Sequence, residues 1–192
     1  MAYHKIIINN LSKSYNPKIK IFSHFNYIFS KQLYIITGRN GAGKSTLLNC
    51  IANYIRYNGT IQVNGKISYL PEKRNFDDDY KVKDLVNMLS KFYGHYPKSY
   101  LELFDLSKNM DKTIISLSNG NKTKLFILCT LMKPADIYLF DEPTNGLDLQ
   151  MKEVFGRLCI ELSKQKMVII STHDRGLMIQ LSKEAKVLRI KT

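Results

Sequence analysis

The sequence of 192 residues contains no tryptophan, only five prolines and three cysteines, and no apolar run near the roughly 18–20 residues that span a bilayer. The cysteines, Cys50, Cys129 and Cys159, lie far apart without a CxxC pair, and the four histidines show no metal-ligand spacing. The apolar run at residues 6–8 is too short for a signal peptide. These absences argue against a disulfide scaffold, a secreted protein and a membrane-spanning chain, and they favour free thiols in a reducing compartment.

Acidic residues are absent from the first 71 positions, which hold nine Lys or Arg, and Glu72 is the first acid. The whole chain carries a formal charge of +13, from 29 Lys and Arg against 16 Asp and Glu. Such an excess is typical of proteins that meet nucleic acid, an anionic membrane surface or a polyanionic ligand, and it also occurs as plain surface solvation. Hydrophobic residues make up 44% and charged residues 23% of the chain, which is ordinary for one globular domain.

Short apolar runs alternate with segments of helical periodicity along the chain. The predicted strands are residues 4–9, 32–37, 59–63, 66–70, 136–140, 167–171 and 186–190, with an Asn64-Gly65 turn between the third and the fourth. The predicted helices are residues 44–55, 81–93, 98–106, 118–132, 148–165 and 174–182. The strand–helix alternation of the final third predicts a parallel α/β sheet, and the helical stretch before it predicts an inserted lobe.

Residues 38–45, GRNGAGKS, match the pattern G-x-x-x-x-G-K-[ST] of a phosphate-binding loop. The loop follows the apolar run 33–36 and precedes a predicted helix, which is the arrangement that phosphate binding needs. Glycines allow backbone N–H groups to point at phosphate oxygens, and the helix N-terminus adds partial positive charge. We expect Lys44 to contact the β- and γ-phosphates of a nucleotide and Ser45 to bind Mg²⁺.

Two adjacent acids, Asp141 and Glu142, follow the apolar run 137–140. The carboxyl end of a strand is where an α/β sheet places its ligand. Beside a phosphate-binding loop, the pair predicts that Asp141 holds Mg²⁺ and that Glu142 accepts a proton from the attacking water. A solvated strand end is the alternative interpretation of the same pair.

Four further segments stand in order around these two motifs. They are residues 69–72, YLPE, at the position of a Q-loop; 117–121, LSNGN, at that of an LSGGQ signature; 143–148, PTNGLD, at that of a D-loop; and 171–174, STHD, at that of a switch-histidine loop. Tyr15 matches an aromatic that stacks on adenine. The chain therefore resembles the ATP-binding cassette (ABC) ATPases over nearly its whole length.

The resemblance implies an α/β fold of the P-loop NTPase, ABC type. It implies a mostly parallel core sheet, an N-terminal antiparallel β part and an inserted helical lobe. Residues 1–192 would form a single ABC ATPase domain, with a helical subdomain at about 76–133 inserted in the core.

The resemblance also assigns roles to individual residues. Glu142, His173 and Lys44 would be catalytic, and Ser45, Glu72 and Asp141 would hold Mg²⁺. ATP would be bound by Tyr15, Gly38, Asn40, Gly41, Gly43, Lys44, Ser45, Thr46, Ser118, Gly120 and Asp148. Ser118, Gly120 and Asp148 would act on the ATP of a second cassette, because two cassettes pair head to tail with two nucleotides between them.

The chain departs from the family pattern at three positions. Glu72 replaces glutamine, so a carboxylate stands where an amide is usual, and this resembles the cassettes of lantibiotic-immunity exporters. In the signature, Asn119 replaces glycine and Asn121 replaces glutamine, while Ser118 and Gly120 are kept. We expect weakened but not abolished hydrolysis; the alternative is a degenerate cassette that pairs with a more typical one.

The leading functional hypothesis is an ATPase subunit that powers a separate transmembrane permease. The transporter is expected to be an exporter, with the ATPase subunit on the cytoplasmic face of the membrane. Leu85, Met88, Phe92, Tyr93 and Phe76 could form a groove for a cytoplasmic helix of that partner, or simply the core of the lobe, which is the interpretation favoured for Leu85. The alternatives are a regulatory or nucleotide-sensing cassette and a non-transport ABC ATPase. No specific nucleic-acid partner is expected, because Lys44 and Asp141 are too close for a coiled-coil insertion and the chain holds one cassette.

Overall fold

The computed structural model describes residues 4–16, 19–73 and 79–190. Its strands are β1 (Lys5–Asn16), β2 (Ile19–Phe29), β3 (Leu33–Thr37), β4 (Asn58–Asn64), β5 (Ile67–Leu70), β6 (Ile137–Asp141), β7 (Met167–Ser171) and β8 (Lys186–Arg189). Its helices are α1 (Lys44–Ile51), α2 (Val82–Tyr93), α3 (Lys98–Leu103), α4 (Asn119–Met132), α5 (Leu149–Ser163) and α6 (Arg175–Leu181), with a 3₁₀ turn at Ser107–Asn109.

The central sheet is parallel, with strand order β5-β6-β7-β3-β8. Its middle strands are apolar at nearly every position because both faces are covered. Along β3, Leu33 and Ile35 join a core with α2, α4 and α5, whereas Tyr34 and Ile36 join a second core with α1 and the N-terminal sheet. The predicted parallel α/β sheet is therefore confirmed, and it brings the carboxyl ends of β3, β6 and β7 to one edge.

A separate antiparallel sheet has the order β2-β1-β4. Here the strand prediction was incomplete, because β1 continues past residue 9 to Asn16 and β2 was not predicted. Irregular pairing hides the pattern: the register shifts several times, and Asn10 and His24 adopt left-handed backbone conformations with φ of 56° and 52°. Aromatic residues at alternating positions, Phe25, Tyr27 and Phe29, were the signal that could have revealed β2.

The Asn64-Gly65 turn does not close a hairpin. It separates β4, which pairs with β1, from β5, which pairs with β6 in the other sheet. The first helix is also shorter than predicted, since α1 ends at Ile51 and Asn53 has a φ of 59°. The other predicted strands and helices, apart from residues 4–9, match the observed ones within three residues at each end.

The helices between β5 and β6 share a core with the central sheet. Leu85 is 3% exposed within it, so the core interpretation of this residue is confirmed. Met88 and Phe92 are exposed on α2, Tyr93 is half-buried, and Phe76 lies outside the described residues. In the described part of the chain, every helix is too short or too polar to cross a membrane.

The three cysteines are free, as predicted, and two of them are fully buried. Burial raises the pKa of Cys50 to about 11 and that of Cys129 to about 12. The thiols are therefore protonated at neutral pH and behave as small apolar side chains.

Candidate functional site

The loop of residues 38–43 joins the end of β3 to the start of α1. Gly41 and Gly43 have φ of 80° and 102°, a region that side chains with a Cβ rarely adopt. A Cβ on Gly43 would also lie 2.5 Å from Cγ2 of Ile21, so β2 packs directly on the loop. No side chain caps α1, which leaves its first N–H groups free to bind an anion.

Lys44 places a buried ammonium group at the centre of this loop. Its Nζ donates to the carbonyl oxygen of Gly38 at 3.2 Å and lies 3.9 Å from Oε1 of Glu142. Gly38 itself lies against the backbone that follows β8, because a Cβ there would be 2.8 Å from the carbonyl oxygen of Ile190. The cation is thus fixed between the loop and the end of β6.

Glu142 follows β6 in a strained conformation, with a φ of 46°. A left-handed backbone costs a non-glycine residue about 1–2 kcal/mol, and such strain is often found at functional sites. The side chain is 94% buried, and Oε2 lies 3.0 Å from Nδ1 of His173. That contact lacks hydrogen-bond geometry, so Oε2 is a buried carboxylate oxygen without a hydrogen-bond partner within the described residues. The imidazole of His173 is largely exposed.

Asp141 lies one residue earlier, fully inside the protein. Its Oδ1 accepts a hydrogen bond from Oγ of Ser171, and its Oδ2 lies 3.5 Å from the hydroxyl of Tyr69. Burial raises the pKa of Tyr69 well above its ordinary value, and the charge of Asp141 raises it further, so the phenol keeps its proton. Two neutral hydroxyl groups therefore hold the two carboxylate oxygens.

The remaining predicted metal ligands meet at the start of α1. Oγ of Ser45 donates to Oε2 of Glu72 at 3.5 Å. Carboxylate and hydroxyl oxygens suit Mg²⁺, which proteins commonly hold with one or two carboxylates together with phosphate oxygens. The described residues include no group of three His, Cys, Asp or Glu side chains able to hold a metal alone. The donor groups of Ser45 and Glu72 thus suit Mg²⁺ bound with a nucleotide, whereas the buried Asp141 contacts Ser171 and Tyr69 rather than these two residues.

Tyr15 stands at the end of β1 beside the loop. Its hydroxyl lies 3.2 Å from Oγ1 of Thr46, while 60% of the residue is exposed. Nζ of Lys13 lies 5.3 Å from the centre of the ring. The ring is held at its hydroxyl end and keeps exposed surface on which an aromatic base can stack.

These side chains enclose a cavity of about 560 Å³. Ten of the predicted residues line it: Tyr15, Asn40, Gly41, Gly43, Lys44, Ser45, Thr46, Glu72, Glu142 and His173. Ile19 and Ile21 of β2 line it as well and were missed, because β2 was missed. Its size and lining suit a nucleotide with a polyphosphate group.

Ser118, Gly120 and Asp148 do not line this cavity. Ser118 caps α4, where Oγ accepts from the N–H of Asn121 at 3.3 Å, and Asp148 caps α5, where Oδ1 accepts from the N–H of Met151 at 2.8 Å. Both caps are exposed. Within one chain, these groups are therefore apart from the nucleotide cavity.

The start of α4 packs tightly on the loop that precedes α5. A Cβ on Gly120 would lie 2.7 Å from the carbonyl oxygen of Gly146, and Oγ1 of Thr123 donates to the carbonyl of Asn145 at 2.9 Å. Asn119 is exposed one residue earlier. This close approach gives a physical reason why position 120 is glycine whereas position 119 accepts a side chain.

Comparison with known proteins supports the same interpretation. Residues 26–145 match the family model for ABC transporters. An uncharacterized ABC transporter ATP-binding protein of Methanocaldococcus jannaschii is 31% identical over 195 residues, which cover 96% of this chain and 74% of that protein. A Nod factor export ATP-binding protein of Burkholderia orbicola is 27% identical over 194 residues, covering 90% of this chain and 64% of that one.

Solved structures share the fold. An ABC transporter in an inward-facing conformation aligns with a TM-score of 0.81 and 24% identity, covering 99% of this chain and 80% of the solved one. That structural match confirms the predicted α/β fold with a parallel sheet and a separate antiparallel sheet. The family model and the Methanocaldococcus jannaschii relative show that the chain belongs to the ABC transporter family, as an ATP-binding subunit with ATPase activity.

Proposed function

We propose that this chain hydrolyses ATP at the cavity around Lys44 and, in a head-to-tail pair of cassettes, powers a separate transmembrane subunit that exports its substrate. The observation that carries the hydrolytic part is the carboxylate of Glu142, which lines the cavity and whose buried Oε2, beside His173, lacks a hydrogen-bond partner within the described residues. A buried carboxylate oxygen without a hydrogen bond is costly and is well suited to accept a proton from water.

The phosphate-binding loop and Tyr15 bind the nucleotide in this proposal. Backbone N–H groups of Gly41 and Gly43 and the start of α1 contact the β- and γ-phosphates, and Lys44 neutralises their charge. The exposed ring of Tyr15 stacks on adenine. Ser45, Glu72 and Asp141 hold Mg²⁺, which supplies positive charge to the phosphate oxygens when bound.

Glu142 is the general base of the proposed reaction and His173 holds the γ-phosphate. The carboxylate lies within reach of both Lys44 and His173, at 3.9 Å and 3.0 Å, so it sits between two groups that bind phosphate. Burial excludes competing solvent from it. A positioned base of this kind typically accelerates a reaction by about 10²–10⁴-fold.

Pairing of two cassettes completes the proposed site. Ser118 and Gly120 lie at the exposed N-terminus of α4, outside the nucleotide cavity of their own chain. Asp148 caps α5, and the loop before it packs on Gly120. Exposed helix N-termini favour an anion such as the γ-phosphate bound to a partner. Residues 1–192 act as one ABC ATPase domain in this proposal, with the helical subdomain at about 76–133.

The membrane subunit is proposed to dock in a groove of about 490 Å³ between β5 and the helical lobe. Leu89, Tyr93 and Phe126 give it an apolar wall, and Lys73 and Lys133 add positive charge. Among the described residues that were predicted to form such a groove, only Tyr93 lines it. Leu85 is core, Met88 and Phe92 are exposed on α2 and are not among the lining residues, and Phe76 lies outside the described residues.

The proposed location is the cytoplasmic face of the membrane, as a peripheral subunit without a specific nucleic-acid partner. The direction of transport is proposed from the likeness to the Nod factor export protein and from Glu72, whose carboxylate resembles that of immunity exporters. The net charge of +13 is compatible with work beside an anionic leaflet.

Substitution of Glu142 by glutamine tests the hydrolytic part directly. We expect phosphate release from ATP to fall by about 10²–10⁴-fold while the affinity for ATP changes little, because the amide keeps the shape of the carboxylate and loses its basicity. Glu153→Gln, on the exposed face of α5, is the matched control and should hydrolyse ATP as the wild type does. Equal hydrolysis by the wild type and Glu142→Gln would remove Glu142 from the role of base.

A second candidate function is a degenerate, regulatory cassette, and the side chains of Asn119 and Asn121 favour it. They project from the signature segment where the family pattern has glycine and glutamine. The double variant Asn119→Gly, Asn121→Gln restores that pattern. A large gain in hydrolysis would support a weakened signature, whereas an unchanged low rate in both proteins would favour a nucleotide-sensing role.

A further inference from the structure

Tyr69 connects the groove proposed for the membrane subunit with the carboxylate of Asp141. It lies on β5, where it pairs in parallel register with Leu139 of the neighbouring strand β6. Tyr69 is one of the residues that line the groove, and its hydroxyl lies 3.5 Å from Oδ2 of Asp141. The sequence motif at residues 69–72 drew attention only to Glu72, so the role of Tyr69 is visible only in the fold.

The environment of Asp141 shows why that contact matters. Ser171 donates to Oδ1, and Tyr69 donates to Oδ2. Asp141 is 1% exposed, and within residues 4–16, 19–73 and 79–190 no cation forms an ion pair with it. Hydroxyl donors on both oxygens fix the plane of the carboxylate without neutralising its charge.

The ring of Tyr69 is itself held in place. Tyr54 packs edge-on against it, with ring centres 5.2 Å apart and an angle of 74° between the ring planes. The backbone on the other side is fixed by its pairing with β6. A hydroxyl on a ring with so little freedom orients its acceptor at a small entropic cost.

We propose that Tyr69 is a positioning residue, whose hydroxyl orients the carboxylate of Asp141 and thereby sets the affinity of the site for a divalent cation. This inference rests on the proposed function, in which Asp141 is a metal ligand. Partners that orient a metal ligand typically change metal affinity by about 10–100-fold, and a neutral donor at 3.5 Å belongs at the lower end of that range.

The test compares Tyr69→Phe with Tyr54→Phe, which removes a hydroxyl from the neighbouring ring. Binding of Mn²⁺, a paramagnetic probe, is measured by electron paramagnetic resonance on the full chain saturated with a nonhydrolysable ATP analogue. We expect Tyr69→Phe to weaken Mn²⁺ binding by about tenfold. Tyr54→Phe should bind Mn²⁺ as the wild type does, and the affinity for the nucleotide without metal should be unchanged in both variants.

Hydrolysis gives an independent readout. For Tyr69→Phe the Mg²⁺ concentration that gives half-maximal rate should rise, while kcat at saturating Mg²⁺ stays near the wild-type value. A merely structural role would instead lower the melting temperature and weaken metal-free nucleotide binding, and that result would overturn the inference. Unchanged Mn²⁺ affinity in Tyr69→Phe would also overturn it.

Asp141→Asn separates failure of this inference from failure of the proposed function. If Asp141→Asn weakens Mn²⁺ binding and Tyr69→Phe does not, Asp141 is a metal ligand and the positioning role of Tyr69 is wrong. If neither substitution changes Mn²⁺ binding, both the proposed metal site at Asp141 and the positioning role of Tyr69 are wrong.

Discussion

Alanine at position 120 would place a methyl carbon 2.7 Å from the carbonyl oxygen of Gly146, whereas ordinary contact begins at 3.4 Å. The start of α4 and the loop before α5 must therefore separate by about 0.7 Å to admit it. The atom in the way is backbone and cannot rotate aside. Overpacking of this kind costs about 1–3 kcal/mol.

A compensating gain comes from helix propensity. Alanine is about 1 kcal/mol better than glycine inside a helix, and position 120 is in the first turn of α4. The net loss in the free energy of unfolding is thus about 1 kcal/mol, which for a chain of this size lowers the melting temperature by about 2–4 °C. Hydrolysis should fall as well, because the displaced segment carries Ser118 and the neighbouring loop ends at Asp148.

The assay is urea unfolding followed by circular dichroism, beside a measurement of phosphate release. Asn119→Ala is the matched control, because it gains helix propensity at the adjacent exposed position without the collision. We expect the control to be as stable as the wild type or slightly more stable. If Gly120→Ala were as stable as Asn119→Ala, the close approach to Gly146 would not constrain this position.

Three further predictions concern other parts of the fold. The pKa of Asp174 is lowered, since the effect of burial, which raises it, is outweighed by hydrogen bonds from Lys152 and backbone N–H groups. Its pairing therefore stabilises the protein fully above the ordinary pKa of 3.8 and is lost as the pH falls through the lowered value. Asp174→Asn should lower the free energy of unfolding by about 1 kcal/mol at pH 7, and this difference from the wild type should disappear in acid. A difference in the free energy of unfolding that stayed constant with pH would contradict this prediction. Tyr15→Ala should weaken binding of a fluorescent ATP analogue by about 1–3 kcal/mol, whereas Tyr15→Phe should bind it as the wild type does. An equal loss of affinity in both variants would refute stacking. Leu85→Ala should lower the free energy of unfolding, measured in urea, by about 2–5 kcal/mol, whereas Met88→Ala at an exposed position should lower it by less than about 0.5 kcal/mol. Similar losses in the two variants would mean that Leu85 is not core.

The site was largely predictable wherever its chemistry is local in sequence. Lys44 and Ser45 belong to one continuous loop, and Asp141 and Glu142 are neighbours at a strand end, so short motifs describe them. The antiparallel part was harder, because β2 carries bulges and half-exposed faces that blur a period of two. Missing β2 also meant missing Ile19 and Ile21 in the cavity wall.

Short motifs and apolar periodicity predict the phosphate-binding loop, the acid pair and the elements that carry them, because backbone geometry and periodicity are local properties of the chain. Contacts between distant residues depend instead on the folded arrangement: Tyr15 with Thr46, Tyr69 with Asp141, and His173 with Glu142. Strand order produces the last two contacts, since it brings the carboxyl ends of β5, β6 and β7 to one edge of the sheet. Local periodicity carries no information about strand order, which is set by the packing of helices on both faces of the sheet.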